Sequence, residues 1–233
     1  MDEHPQTTRQ AALLPPLRLA VFDLDGTLKE ASSPWMYLHH ALGTEQEAEQ
    51  YRQQFYAGQI TYLDWARLDS ALWKGVELAR VEAIFRDSIY RPGVHELFQF
   101  LQRRGVLTAI ISTGLGVQAR QVAAELGVWR TIANELAVEN GRLVGETIVN
   151  VQEHTKGQLM AQLRAEAGAR IEECLAVGDG PADVDLFTGA GLAIAVCPRN
   201  ERVRHAAHVV IEDGDLSRII PVLETHFSPG ESA

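Results

Sequence analysis

Cysteine is almost absent from this chain: its 233 residues include only Cys174 and Cys197. Each stands beside an apolar run, the setting of a buried thiol rather than of a disulfide framework or a thiolate metal site. A reducing cytoplasm suits such a chain. Positive charge is also in short supply, with 21 Lys and Arg against 31 Asp and Glu and a formal charge of -10. That balance argues against nucleic acid or an anionic membrane surface as the principal partner. An anionic substrate would then need local positive charge or a metal. The start of the chain, Met1 to Pro16, carries a single Arg and no apolar h-region, so neither a signal peptide nor a membrane anchor is expected there. Residues 1–12 and 228–233 are expected as disordered tails. No internal repeat or low-complexity tract is visible. With 46% hydrophobic residues, the chain has enough apolar surface for a sizeable core, in one large domain or one domain with an insertion.

Short β-prone runs recur at Leu17–Phe22, Leu107–Ser112, Cys174–Val177, Leu192–Val196 and Val209–Ile211. They are continuously apolar rather than alternating, as strands buried on both faces of a parallel sheet are. Amphipathic helices fall between them. Val94, Leu97, Phe98 and Leu101 share one helical face, with Pro92 before and Gly105 after, and Ala119, Val122, Ala123 and Leu126 repeat the spacing before Gly127. The expected fold is α/β, a doubly wound Rossmann-like parallel sheet over 13–28 and 91–227. Two stretches break the order. Asn140-Gly141 between β-prone runs signals a hairpin, because both residues tolerate the positive φ of a type I′ turn. Residues 29–90 read as successive helices without a clear strand, an inserted helical cap subdomain rather than a tandem domain.

The first strand ends in Asp23-Leu24-Asp25-Gly26-Thr27. Ligands of open α/β sheets sit at the carboxyl ends of strands, and alternation puts Asp23 and Asp25 on one side of an extended chain. Two carboxylates this close repel, so they need a cation or a shared proton. A hard divalent ion such as Mg²⁺ is the natural partner; an Asx turn with solvated acids is the ordinary alternative. Further strand ends add weight. Cys174–Val177 runs into Gly178-Asp179-Gly180-Pro181-Ala182-Asp183, and Leu107–Ile111 runs into Ser112-Thr113-Gly114, where a hydroxyl and free backbone N–H groups can hold a phosphate or simply form an ST turn. Lys156 opens a helical pattern after Thr155, a candidate cap. A cation at a helix N-terminus opposes the macrodipole, which suggests an anion nearby, although a solvated lysine is the common case.

In this order DLDGT, STG, Lys156 and GDGPAD resemble the haloacid dehalogenase superfamily, specifically its phosphoserine phosphatase-like branch, over roughly Leu17 to Ile211. The resemblance implies a Mg²⁺-dependent phosphomonoester phosphatase acting on a small phosphorylated metabolite, with residues 29–90 as the cap over its site. Asp23 would be the nucleophile that forms an aspartyl-phosphate and Asp25 the general acid and base. Ser112, Thr113 and Lys156 would bind the phosphoryl group. Asp179 would hold the metal with Asp23 and the backbone carbonyl of Asp25, supported by Asp183.

The chain departs from that pattern where the branch grips its amino acid. Ser32 stands where an acid is expected, with Glu30 nearby as a substitute, and an ungapped reading from Gly58 places Asp69 at the position of the cap arginine. Ala182 replaces the asparagine common before the last acid. On a helix through Tyr62–Trp73, Asp69 lies within the apolar stripe, so it either pairs with a cation or faces the pocket. Two other functions use related parts: a phosphotransferase or phosphomutase on the same core, and a receiver-like domain that accepts phosphate as a signal. The DxD spacing and the insertion favour the phosphatase.

Overall fold

The computed structural model describes residues 14–229; the tail expected over 1–12 lies outside them, as do residues 230–233 of the tail expected over 228–233, whereas Ser228 is held in the fold, its N–H donating to Pro15 O at 2.9 Å. Seven strands form one sheet in the order β4-β3-β2-β1-β5-β6-β7. The central strand β1 (Leu19–Phe22) pairs in parallel with β2 (Leu107–Leu115) and β5 (Cys174–Gly178), and β6 (Leu192–Val196) and β7 (Val209–Ile211) continue the parallel order. On the other side β3 (Arg130–Glu139) runs parallel to β2, while β4 (Arg142–Ile148) returns antiparallel to β3 at the edge. Their turn is Asn140-Gly141, with φ of 51° and 75°, the left-handed pair expected of that dipeptide.

The strands are apolar on both faces because both are covered. Ala20 and Phe22 of β1 pack toward α5 (Val94–Arg103), α6 (Gly116–Leu126) and α10 (Ile219–His226). Leu19 and Val21 pack toward α7 (Lys156–Glu166), α8 (Asp183–Phe187) and α9 (Glu201–Ala206). This is the doubly wound Rossmann-like arrangement. Burying a side chain such as Leu97 or Met160 in either layer contributes on the order of 2 kcal/mol.

Between β1 and α5 lie α1 (Pro34–Leu42), α2 (Glu45–Tyr56), α3 (Tyr62–Ala71) and α4 (Leu78–Arg86). The ends of this insertion are tied together. Lys29 and Tyr90 form an antiparallel bridge, Glu30 N–H donates to Ile89 O at 3.0 Å, and the Lys29 ammonium lies 3.3 Å from the centre of the Tyr90 ring. Leu38, Trp73, Val81 and Phe85 of the insertion share one apolar cluster with Leu115, Val117, Leu136 and Leu143. The helices therefore complete their core on the β3–β4 hairpin and the end of β2. Two local expectations change. The Thr155 hydroxyl does not cap α7, because it is spent on the backbone of Gln152. Cys174 is buried, whereas Cys197, at φ 42° just past β6, is only partly so. No helix of the described residues is long and apolar enough to cross a membrane.

Candidate active site

The ends of β1, β2 and β5 meet the N-terminus of α7 beneath the inserted helices, around a cavity of about 530 Å³. Asp23, Asp25, Thr113, Lys156 and Asp183 line its floor, and Asp69 lines its roof. Ser112 lies just behind the floor; its hydroxyl donates to Asp25 Oδ2 at 2.9 Å and accepts from Gly114 N–H at 2.8 Å. The close approach of β2 requires Gly114, where a Cβ would collide with the Asp25 carboxylate and lie 2.6 Å from Pro34. Gly26 plays the same part at the turn after β1. Its φ is 92°, and a Cβ there would lie 2.5 Å from Asp179 Oδ2.

Lys156 is 1% exposed, and two of the three N–H donors of its ammonium are engaged: it donates to Asp23 Oδ1 at 2.5 Å and to Asp183 Oδ1 at 2.7 Å. These are the anions expected beside a lysine that opens a helix. Asp183 Oδ2 accepts from the N–H groups of Asp179 and Gly180, at 2.9 and 2.8 Å. Both its oxygens are thus committed to holding Lys156 and the loop after β5. The Thr27 hydroxyl lies 3.2 Å from Asp23 Oδ2 and 3.1 Å from Asp179 Oδ1, and Arg199 Nε donates to Asp179 Oδ2 at 2.6 Å. Asp23, Asp179 and Asp183 each present an oxygen within 4.8 Å of the others.

Electrostatics follow from this packing. Burial raises the Asp23 pKa against the pull of Lys156. Burial, reinforced by the Asp23 charge, holds the Asp25 pKa well above the ordinary carboxylate range. Asp25 Oδ1 has no hydrogen-bond partner, so Asp25 combines a raised pKa with a free oxygen. Burial works against the Lys156 charge, but Asp183 and Asp23 outweigh it and raise its pKa. Burial also raises Asp179 and Asp183, opposed by Arg199 and Lys156 respectively.

The candidate residues part company at the cap. Glu30 is exposed and stands outside the cavity lining, because its backbone is held in the ladder with Ile89. Asp69 both lines the cavity and faces a histidine: it is 1% exposed, with Oδ2 3.4 Å from Nε2 of the buried His39, a separation without hydrogen-bond alignment. Thr113 contributes an acceptor as well as a place in the wall. Its carbonyl receives Trp35 Nε1, Tyr62 Oη and Asn134 Nδ2 at 3.2, 3.1 and 2.9 Å, which fastens α1 and α3 to the end of β2.

Sequence reasoning missed Thr27, Arg199, His39 and Asn134. Thr27 sits inside DLDGT and Arg199 follows the strand end at Val196, so position could have raised both. Nothing local marks His39 or Asn134.

A family model described as haloacid dehalogenase-like hydrolase matches residues 20–188. The chain belongs to that family. Within it this hydrolase is phosphoserine phosphatase-like, and it is a phosphatase. It is 28% identical over 208 residues to a phosphoserine phosphatase of Methanocaldococcus jannaschii, an alignment covering 89% of this chain and 98% of that one. It is 30% identical over 205 residues to a phosphoserine phosphatase of Wolinella succinogenes, covering 88% and 98%. The solved structure of a phospho-aspartyl intermediate analogue of phosphoserine phosphatase superposes with a TM-score of 0.77 at 27% identity, covering 89% of this chain and 99% of that chain.

Proposed function

We propose that this phosphatase is Mg²⁺-dependent and hydrolyses a small phosphomonoester through an aspartyl-phosphate on Asp23. One observation carries the reading: a fully buried lysine joins Asp23 to Asp183 at the floor of a cavity, beside an Asp25 that has a raised pKa and a free oxygen. In the first step an Asp23 oxygen attacks phosphorus as the P–O bond to the alcohol breaks, and Asp25 gives its proton to the departing oxygen. In the second, water attacks phosphorus, the P–O bond to Asp23 breaks, and Asp25 takes the proton of the water. Lys156, Ser112 and Thr113 position the phosphoryl group and balance its charge.

The donor set fits a hard divalent ion. Four acids (Asp23, Asp25, Asp179, Asp183) face two cations, Lys156 and Arg199, and the oxygens of the acid cluster are buried and close together. Asp23, Asp179 and the Asp25 carbonyl would hold Mg²⁺, with Asp183 fixing their loop. The ion would neutralise charge on the phosphoryl oxygens.

Purified protein with Mg²⁺ is expected to release phosphate from a panel of phosphomonoesters, and the nearly isosteric Asp23→Asn to keep the fold and lose turnover. Full activity in a folded Asp23→Asn protein would defeat the mechanism.

A further inference from the structure

The roof of the cavity differs in chemistry from its floor. Asp69 projects from the stripe of α3 that also carries Tyr62 and Trp65, and its Oδ1 has no hydrogen-bond partner although the residue is 1% exposed. A buried carboxylate oxygen without a donor is costly. His39 faces only Oδ2, at 3.4 Å. The Trp65 indole N–H, one turn earlier on the helix, bears on the carboxylate without reaching hydrogen-bond geometry.

The walls around this acid are aromatic. Trp35, Phe55, Tyr62 and Trp65 all line the cavity. Phe55 and Trp65 stack at 4.7 Å, and Tyr62 stands edge-on to both. Aromatic faces are negative in potential and attract cations, including alkylated ammonium groups.

The cations that line the cavity already have carboxylate partners. Arg52 lines the cavity, but its Nε and Nη2 are both bound to Glu49, at 2.7 and 2.9 Å, and its side chain is 45% exposed. Lys156 and Arg199 are bound to the acids of the floor. The cavity is therefore polarised, with bound cations at the phosphoryl end and an underused carboxylate among aromatic rings at the other. A substrate carboxylate at the roof would meet Asp69, and each cation among the described residues lining the cavity already has a carboxylate partner.

We propose that the leaving group is a small amino alcohol, bearing a positively charged nitrogen and no carboxylate, with the nitrogen held by Asp69 and the aromatic walls. This rests on the phosphatase reading above and names its substrate class. It also sets the chain apart from the serine phosphate of its relatives' names, which carries an amine and a carboxylate together.

The test is steady-state kinetics of the full chain with Mg²⁺ on phosphoethanolamine, phosphocholine, O-phosphoserine and glycerol 3-phosphate, with p-nitrophenyl phosphate included as a generic ester. At least one cationic ester is expected to exceed both glycerol 3-phosphate and O-phosphoserine in kcat/KM by about 10-fold or more. Asp69→Asn, checked for folding by circular dichroism, should bring the ratio of cationic to neutral ester toward one. Phe55→Leu, in the aromatic lining stacked on Trp65, should lower it in the same direction, which keeps the test decisive if Asp69→Asn does not fold. Hydrolysis of p-nitrophenyl phosphate with no preference for a cationic ester, or with a preference for O-phosphoserine, would overturn this inference alone. No hydrolysis of any ester would overturn the phosphatase mechanism beneath it.

Discussion

Lys156 and Asp69 are both buried charges, and they make opposite predictions. Lys156 is matched on two sides, by Asp23 and Asp183. Lys156→Ala is therefore expected to raise the chemical barrier by about 3 kcal/mol, while the exposed Arg67→Ala changes kcat/KM little; the reverse order would move the phosphoryl site toward the cap. Asp69 is under-matched. Burial raises its pKa above the ordinary 3.8, more than His39 lowers it, so the folded protein binds this proton more tightly than the unfolded chain does. The stability linked to that proton is fully present below the unfolded value and is lost as pH rises through the raised folded one. Asp69→Asn removes the loss. Its denaturation midpoint is expected to exceed that of the parent at neutral pH, with the gain shrinking as pH falls toward 3.8; a lower midpoint at neutral pH would mean that the His39 contact outweighs burial. The sequence marked Asp69 as an acid in an apolar stripe, but its counterpart His39 sits on a different helix and only the fold brings them together.

Among the elements, those with a continuous apolar run or a clean helical stripe were legible in advance, because burial on both faces or on one is written into composition. The hairpin was legible through Asn140-Gly141. The first half of β3 was not, since Asn134 and Glu135 interrupt its apolar character, and Asn134 turns out to be 0% exposed. Its amide protons are shared among Tyr62 Oη, Thr113 O and Val151 O, and its Oδ1 accepts from Asn150 and Val151 N–H. It thereby ties α3, the end of β2 and the loop that leads to Lys156 into one piece. A buried polar hub of this kind has no local signature, because its partners come from three distant segments. Asn134→Ala strands several buried groups at once, and a loss of roughly 3–5 kcal/mol is expected in chemical denaturation. A loss below about 0.5 kcal/mol, the size typical of a surface change, would show that the network is dispensable.

Over the molecule as a whole, three buried acids, Asp23, Asp179 and Asp183, converge at the strand ends. Motif order made that convergence legible, since ligand sites of open α/β sheets gather where successive strands end. It did not disclose that the inserted helices finish their core on the β3–β4 hairpin, with Trp73 and Leu143 in one cluster. An ion bound only by the folded state stabilises it by mass action, so millimolar Mg²⁺ should raise the melting temperature of the parent and do so much less for Asp179→Asn. Equal shifts in both proteins would place the ion elsewhere. The account turns finally on the covalent step at Asp23. With p-nitrophenyl phosphate, whose leaving group departs without a donated proton, Asp25→Asn should form the aspartyl-phosphate but hydrolyse it slowly, for want of a base to activate water. Acid quenching followed by peptide mass spectrometry should then find a phosphoryl group on the peptide that carries Asp23. A phosphoryl group on Asp179, or none on the protein while nitrophenol is still released, would contradict the mechanism.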